Sequence, residues 1–124
     1  MCTVRSICID RAGIAMKLTS IPFEVVDWST VDVTEHPGDE GVARWRTRVF
    51  NDVRVRMVEY SAGYVANHWC SKGHVLLCLS GELITELQDG RQFTLGPGMS
   101  YQVADSDGAH RSMTHIGATL FVVD

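Results

Sequence analysis

No run of about 18 apolar residues occurs in this chain, so no part of it reads as a bilayer-spanning helix. Phosphate-cradling glycine loops are missing as well: Gly96-Pro97-Gly98 is followed by neither a lysine nor a helix, and no Gly-x-Ser-x-Gly serine elbow occurs. P-loop enzymes and serine hydrolases are thereby set aside. An excess of positive charge is also lacking, with 11 Lys and Arg against 15 Asp and Glu and a formal net charge of −4, which argues against a general polyanion binder. There is no internal repeat and no low-complexity tract. Met1–Ala15 has Arg5, Asp10 and Arg11 scattered through it and lacks the apolar centre of a secretory signal. The expected location is therefore the cytoplasm, without a membrane partner, and residues 1–15 are expected to be a disordered extension.

What is present suits one globular domain, expected over 16–124. The chain has 124 residues, 45% of them hydrophobic and 21% charged, enough to bury a core without disulfides. The four cysteines, Cys2, Cys8, Cys70 and Cys78, are expected to stay reduced. After residue 40 short β-branched and aromatic stretches dominate: Val42–Phe50, Val53–Tyr60, Val75–Leu79, Leu83–Leu87, Arg91–Leu95, Met99–Val103, Arg111–Thr114 and Ala118–Val123. Asn51-Asp52, Ser80-Gly81, Gln88-Asp89-Gly90, Gly96-Pro97-Gly98 and Asp105-Ser106-Asp107-Gly108 separate them with turn chemistry. The pattern predicts an all-β chain with no helix beyond a turn or two, closed as a barrel or double-sheet jelly roll that hides its strand edges. The apolar segment around Ile21-Pro22-Phe23 and Val25–Trp28 is expected to form an outer strand or to pack across the barrel base.

Metal-binding residue types crowd together at His68, Cys70 and His74, with His110 as an outlier. On an extended strand His68 and Cys70, at i and i+2, would share a face with Cα atoms roughly 6.5–7 Å apart, a gap one ion can bridge. Imidazole with thiolate suits Zn²⁺, Cu⁺ or Fe²⁺ better than Ca²⁺ or Mg²⁺, which prefer oxygen shells.

The spacing Gly63, His68, Cys70, His74, Gly81 resembles the first cupin motif, and Gly98, Ala104, His110 resembles the second. Alanine stands where proline is usual in the second motif, and its loop is one residue longer. Within cupins, Asn67-His68-Trp69-Cys70 is similar to the tetrapeptide of the small family named for its DHCW motif, with asparagine in place of aspartate; Glu59–Tyr64 and Phe93–Met99 add to the likeness. The resemblance covers roughly Met16 to Asp124. It implies a double-stranded β-helix holding one transition metal on His68, Cys70, His74 and His110, commonly as a homodimer. Zinc is the first expectation, with iron, nickel and manganese as alternatives. With all four residues bound the shell is closed; with Cys70 swung away, three histidines leave room for water or substrate. Glu59, Glu82, Glu86, Tyr60, Tyr64 and Tyr101 are the nearby candidates for orienting the histidines.

Other residues have plainer readings. Cys78, in an apolar run, is expected to fill the core. His36, before Pro37, and His115 are expected at the surface. Trp45, Met57, Trp69, Phe93 and Met99 are expected to pack against a core or an interface. Arg44, Arg46 and Arg48 share one strand face and Arg54 and Arg56 another, predicting a basic stripe opposite Ala43, Trp45 and Val49, compensated by Glu35, Asp39 and Glu40 rather than by nucleic acid. The functional expectation is a transition-metal barrel open to a small organic molecule, acting as an oxygenase, isomerase or lyase; the alternative is a non-catalytic metal- or ligand-binding module.

Overall fold

A computed structural model describes residues 18–124, so the expected extension at 1–15, Cys2 and Cys8 lie outside the described residues. A 3-10 turn at Trp28–Thr30 precedes nine strands: β1 (Val33–Pro37), β2 (Val42–Phe50), β3 (Val53–Tyr60), β4 (His74–Gly81), β5 (Leu83–Leu87), β6 (Gln92–Leu95), β7 (Ser100–Val103), β8 (His110–Met113) and β9 (Ala118–Val123). Strands β2, β3, β5 and β9 have the bounds that the β-branched and aromatic stretches and turn residues predict, and four others differ by one or two residues. Asn51, at φ 53°, makes the two-residue β2–β3 turn possible, because asparagine tolerates a left-handed backbone that most residues avoid.

All pairings are antiparallel and fall into two sheets: β1-β2-β3-β9-β4-β7 and β6-β5-β8. The irregular segment from Tyr64 to Cys70 runs beside β8 as an incomplete extra strand. Ala66 N–H donates to Ser112, Thr114 N–H to Tyr64, and Cys70 and His110 exchange both backbone bonds. Because Val65 and Glu40 also bridge, this segment ties the large sheet to the small one and closes the barrel on that side. Val58, Leu76, Cys78, Leu83, Leu95, Ala118, Leu120 and Val122 form the core between the sheets, with Cys78 wholly buried as expected. Gly81 turns the chain from β4 toward β5 at φ 76°, and a Cβ there would collide with the Gly117 carbonyl oxygen. Glycine is required on both counts.

Several expectations are corrected. The segment from Ile21 to Val25 forms neither strand nor barrel base: Phe23 is 97% and Val25 83% exposed. Pro22 withholds a donor, and Asp27 instead caps the 3-10 turn by accepting from the Ser29 N–H at 3.1 Å. Trp28 does pack, edge-on against Phe121. The strand that sequence reasoning missed is β1, which carries His36 not into a surface loop but face-to-face onto Trp45, with ring centres 3.8 Å apart. Of the residues expected at a core or an interface, Trp69, Phe93 and Met99 are exposed in the single chain and take no part in its core.

The arginine stripe is corrected by register. The two-residue turn pairs Phe50 with Val53, so even-numbered residues of β2 oppose odd-numbered residues of β3. Arg54 and Arg56 therefore oppose Val49 and Thr47 and share the Trp45 face, whereas Arg44, Arg46 and Arg48 point the other way. Of the expected compensating acids, Glu35 pairs with Arg44 at 3.0 Å; Glu24 and Asp124 supply the others, at Arg48 and at Arg54 and Arg56, and Arg46 donates to the Trp28 and Val31 carbonyls.

Leu120 is fully buried where β3, β9 and β4 meet. Leu120→Ala is expected to lower unfolding stability by about 2–5 kcal/mol, read as a reduced urea midpoint with an unchanged slope.

Candidate functional site

Directly paired residues of an antiparallel sheet project to the same side. The pairings Trp45↔Val58↔Leu120↔Cys78 and Thr47↔Arg56↔Val122↔Leu76↔Tyr101 thus make two rows across the barrel interior, the first mostly apolar. One step further lies a polar row. Arg54 and Asp124 exchange both backbone hydrogen bonds, at 2.6 and 2.8 Å, and His74 directly precedes Val75, the partner of Val123. Alternation along β9 carries the apolar Leu120 and Val122 into the core and then places Asp124 at the mouth.

The Asp124 carboxylate is 1% exposed and receives three charge-assisted bonds: Arg54 Nε at 2.8 Å, Arg54 Nη2 at 2.9 Å and Arg56 Nη2 at 3.0 Å. Burial pushes its pKa up, but the hydrogen bonds from Arg54 and the charges of Arg56, Arg54 and His74 outweigh that and hold it below the ordinary value. The Arg56 guanidinium carbon sits over the Trp45 ring, 4.3 Å from its centre, with that of Arg54 at 5.6 Å.

His68, Cys70, His74 and His110 all line one cavity of about 130 Å³, together with these arginines, Asp124, Tyr60 and Tyr64. The paired backbone bonds between Cys70 and His110, at 2.8 and 2.9 Å, send both side chains to the same side. His68 is placed differently from the expectation. The chain bends at Asn67 and His68 instead of running extended, leaving the His68 ring exposed at the mouth. Among the described residues, no three His, Cys, Asp or Glu side chains are gathered closely enough to hold a metal ion as arranged here.

The individual donors nevertheless have the chemistry of ligands. His74 and His110 lie with ring centres 4.9 Å apart at a tilt of 56°, and His74 Nδ1 and His110 Nε2 are both buried without a hydrogen-bond partner among the described residues. Burial, reinforced by His110, pushes His74 down to about 4, and burial also lowers His110. Both shifts favour the neutral imidazole, the form in which histidine binds a metal.

The other ring nitrogens are tied down. His74 Nε2 shares a 2.7 Å hydrogen bond with the Tyr101 hydroxyl. His68 Nδ1–H donates to Asn67 Oδ1 at 2.8 Å, while the same amide's Nδ2 donates to the Pro37 carbonyl at 3.2 Å, which fixes its orientation. Tyr101 was among the expected orienting residues; Asn67 takes the other place. Glu59 points outward and Glu86 pairs with Arg111 at 3.0 Å. Asn67 acts as an acceptor toward His68, the same hydrogen-bonding service an aspartate would give without the charge.

No family model and no curated protein matches the sequence. Solved structures do. An ectoine synthase from P. lautus superposes with a TM-score of 0.66 at 16% identity, over 82% of this chain and 76% of that one. The polyketide cyclase RemF from Streptomyces resistomycificus gives 0.65 at 20% identity, over 82% and 78%. A sugar phosphate isomerase of the cupin superfamily from Silicibacter pomeroyi gives 0.64 at 16%, over 81% and 74%. The chain has the cupin fold. Its barrel therefore supplies a scaffold, and the chemistry must come from the residues inside it.

Arg54, Arg56, Arg111 and Asp124 are the charged members of the cavity that sequence reasoning did not place there. For Arg54 and Arg56 the signal was present in the two-residue Asn51-Asp52 turn, whose register turns both inward.

With a native pKa held below the ordinary carboxylate value, Asp124 contributes stability that is fully present above about pH 4 and is lost as pH falls through its native pKa. Asp124→Asn is expected to cost about 3 kcal/mol at neutral pH, the lower range for breaking a buried pair. The gap to wild type should narrow in urea titrations carried from pH 5 down to pH 2.5.

Proposed function

We propose that this chain is a small cupin of the DHCW-motif kind that binds one transition-metal ion between His74 and His110 and acts on a small polar molecule as an oxygenase, isomerase or lyase. The observation that carries the proposal is a pair of histidines lining one cavity with ring centres 4.9 Å apart, each with a buried ring nitrogen that has no hydrogen-bond partner among the described residues. Cys70, half-buried beside His110, and His68, at the mouth, complete the ligand set. The metal, when bound, supplies Lewis acidity or a site for oxygen and substrate. Zinc is the first choice for a set containing a thiolate, with iron, nickel or manganese for a three-histidine centre.

The chain's own residues do the rest. Tyr101 and Asn67 orient His74 and His68. Burial raises Tyr64 to about 12 and raises Tyr60 as well, so both phenols stay protonated at pH 7 and serve as donors rather than bases. Similar folds named as an ectoine synthase, a polyketide cyclase and a sugar phosphate isomerase support action on a small organic molecule while leaving the reaction class to the site. A homodimer is part of this reading, supported by the exposed Phe23 and Val25.

A second reading is favoured by the small cavity: four ligands that fill the shell would leave a non-catalytic metal module. Elemental mass spectrometry of reduced, tag-free protein separates the two. One metal per chain is expected in wild type, falling at least ten-fold in His110→Ala. Zinc lost again in Cys70→Ser identifies the closed module, whereas iron, nickel or manganese retained in Cys70→Ser identifies an open centre. Absence of metal from every form returns the histidines to packing.

A further inference from the structure

Phe93 faces the inside of the barrel without belonging to its core. Directly paired residues of a sheet project to one side; Phe93 pairs with Thr85, and Thr85 with Ser112, which lines the metal cavity. Two residues on, Leu95 shares that side and is 4% exposed within the core. Phe93 is 48% exposed and joins none of the aromatic pairs among the described residues.

The reason lies in the topology. β6 and β7 are edge strands of different sheets, and no pairing joins them across the Gly96-Pro97-Gly98 turn. The barrel stays open on that side, and a second cavity, of about 380 Å³, lies between Phe93 of β6 and Tyr101 and Val103 of β7, with Leu87 and the buried Thr85 from β5. This chamber shares no lining residue with the metal cavity but backs onto it: Val103 pairs with His74, and Leu87 with His110.

Size and lining select its ligand. A benzene ring fits an apolar cavity of about 150 Å³, and the chamber falls within the roughly 300–1,000 Å³ of small-molecule sites, so one or two fused rings have room. None of these five wall residues ionises at neutral pH, so an ion drawn in against them would lose its hydration and gain no partner. The charged residues of the chamber, Arg91 and Asp107, are both exposed, and Arg91 is held by Asp89 at 2.8 Å. Phe93 and Tyr101 come from opposite sheets, so a planar guest can meet a ring from each in the offset or edge-on geometry that aromatic groups prefer.

We propose that the opening between β6 and β7 is a binding site for a neutral aromatic molecule of one or two rings, seated between Phe93 and Tyr101. The site goes beyond the metal reading and requires neither histidine to hold a metal.

The test follows ¹H–¹⁵N correlation spectra of the full chain while indole is titrated beside its charged counterpart indole-3-carboxylate and beside cyclohexanol, which has no π face. Saturable shifts with indole are expected, centred on the Phe93, Tyr101 and Val103 amides, with the other two compounds weaker by about five-fold or more. Phe93→Leu, which keeps apolar bulk and removes the ring, is expected to weaken indole by about five-fold, whereas Thr94→Ala, on the other side of the same strand, leaves it unchanged. Should Phe93→Leu not fold, the contrast among the three compounds in wild type decides alone. The inference is overturned by no saturable shift with indole, by equal binding of the carboxylate or of cyclohexanol, or by shifts centred on Ala66 and Cys70 in the metal cavity. Phe93 resonances that move with protein concentration and not with indole would assign the opening to a second copy of the chain and overturn it as well.

Discussion

The register that runs from β2 through β3 and β9 to β4 decides what the inside of this barrel is. Because each pairing is antiparallel and the first is set by a two-residue turn, one choice at Asn51-Asp52 propagates across four strands. It carries Val58, Leu120 and Cys78 into the core, and at the other end of the same sheet it carries Arg54, Asp124 and His74 to the cavity. A slip of β2 by one residue against β3 would send Arg44, Arg46 and Arg48 inward and turn Ala43 and Trp45 to solvent. The apolar rows make such a slip costly, so the hydrophobic end of the barrel holds the polar end in place.

That division explains what could be read from the sequence. Stretches rich in β-branched and aromatic residues and bounded by explicit turn residues, such as Val42–Phe50 and Val53–Tyr60, declared their bounds, and a closed barrel or jelly roll followed from their number and spacing. His68, Cys70, His74 and His110 were legible as a group and all line one cavity. Less visible was β1, whose Thr34, Glu35 and Pro37 make a weak strand signal and which forms by pairing with the edge of β2. His36 therefore read as a loop residue although Trp45 stacks on it. The arginines were misread for another reason: face assignments were made within each strand, without carrying the turn's register from one strand to the next.

Charge inside the barrel is arranged economically around Asp124. Its carboxylate gathers two arginines that would otherwise repel one another, and it lowers the cost of placing cations next to a pair of neutral histidines. Trp45 contributes the other half of that arrangement, with His36 stacked on its ring and the guanidiniums of Arg56 and Arg54 within cation–π reach. Neither group is a metal ligand in this reading, yet both set the electrostatic character of the space the ligands face.

The mutual backbone bonds between Cys70 and His110 join positions forty residues apart in the sequence. Bringing them together closes a loop that contains all of β4 to β7, at an entropic cost that the folded barrel meets with or without a ligand. The two walls of the cavity exist side by side only in the closed barrel, so a ligand that touches both binds the folded chain alone and stabilises it by mass action.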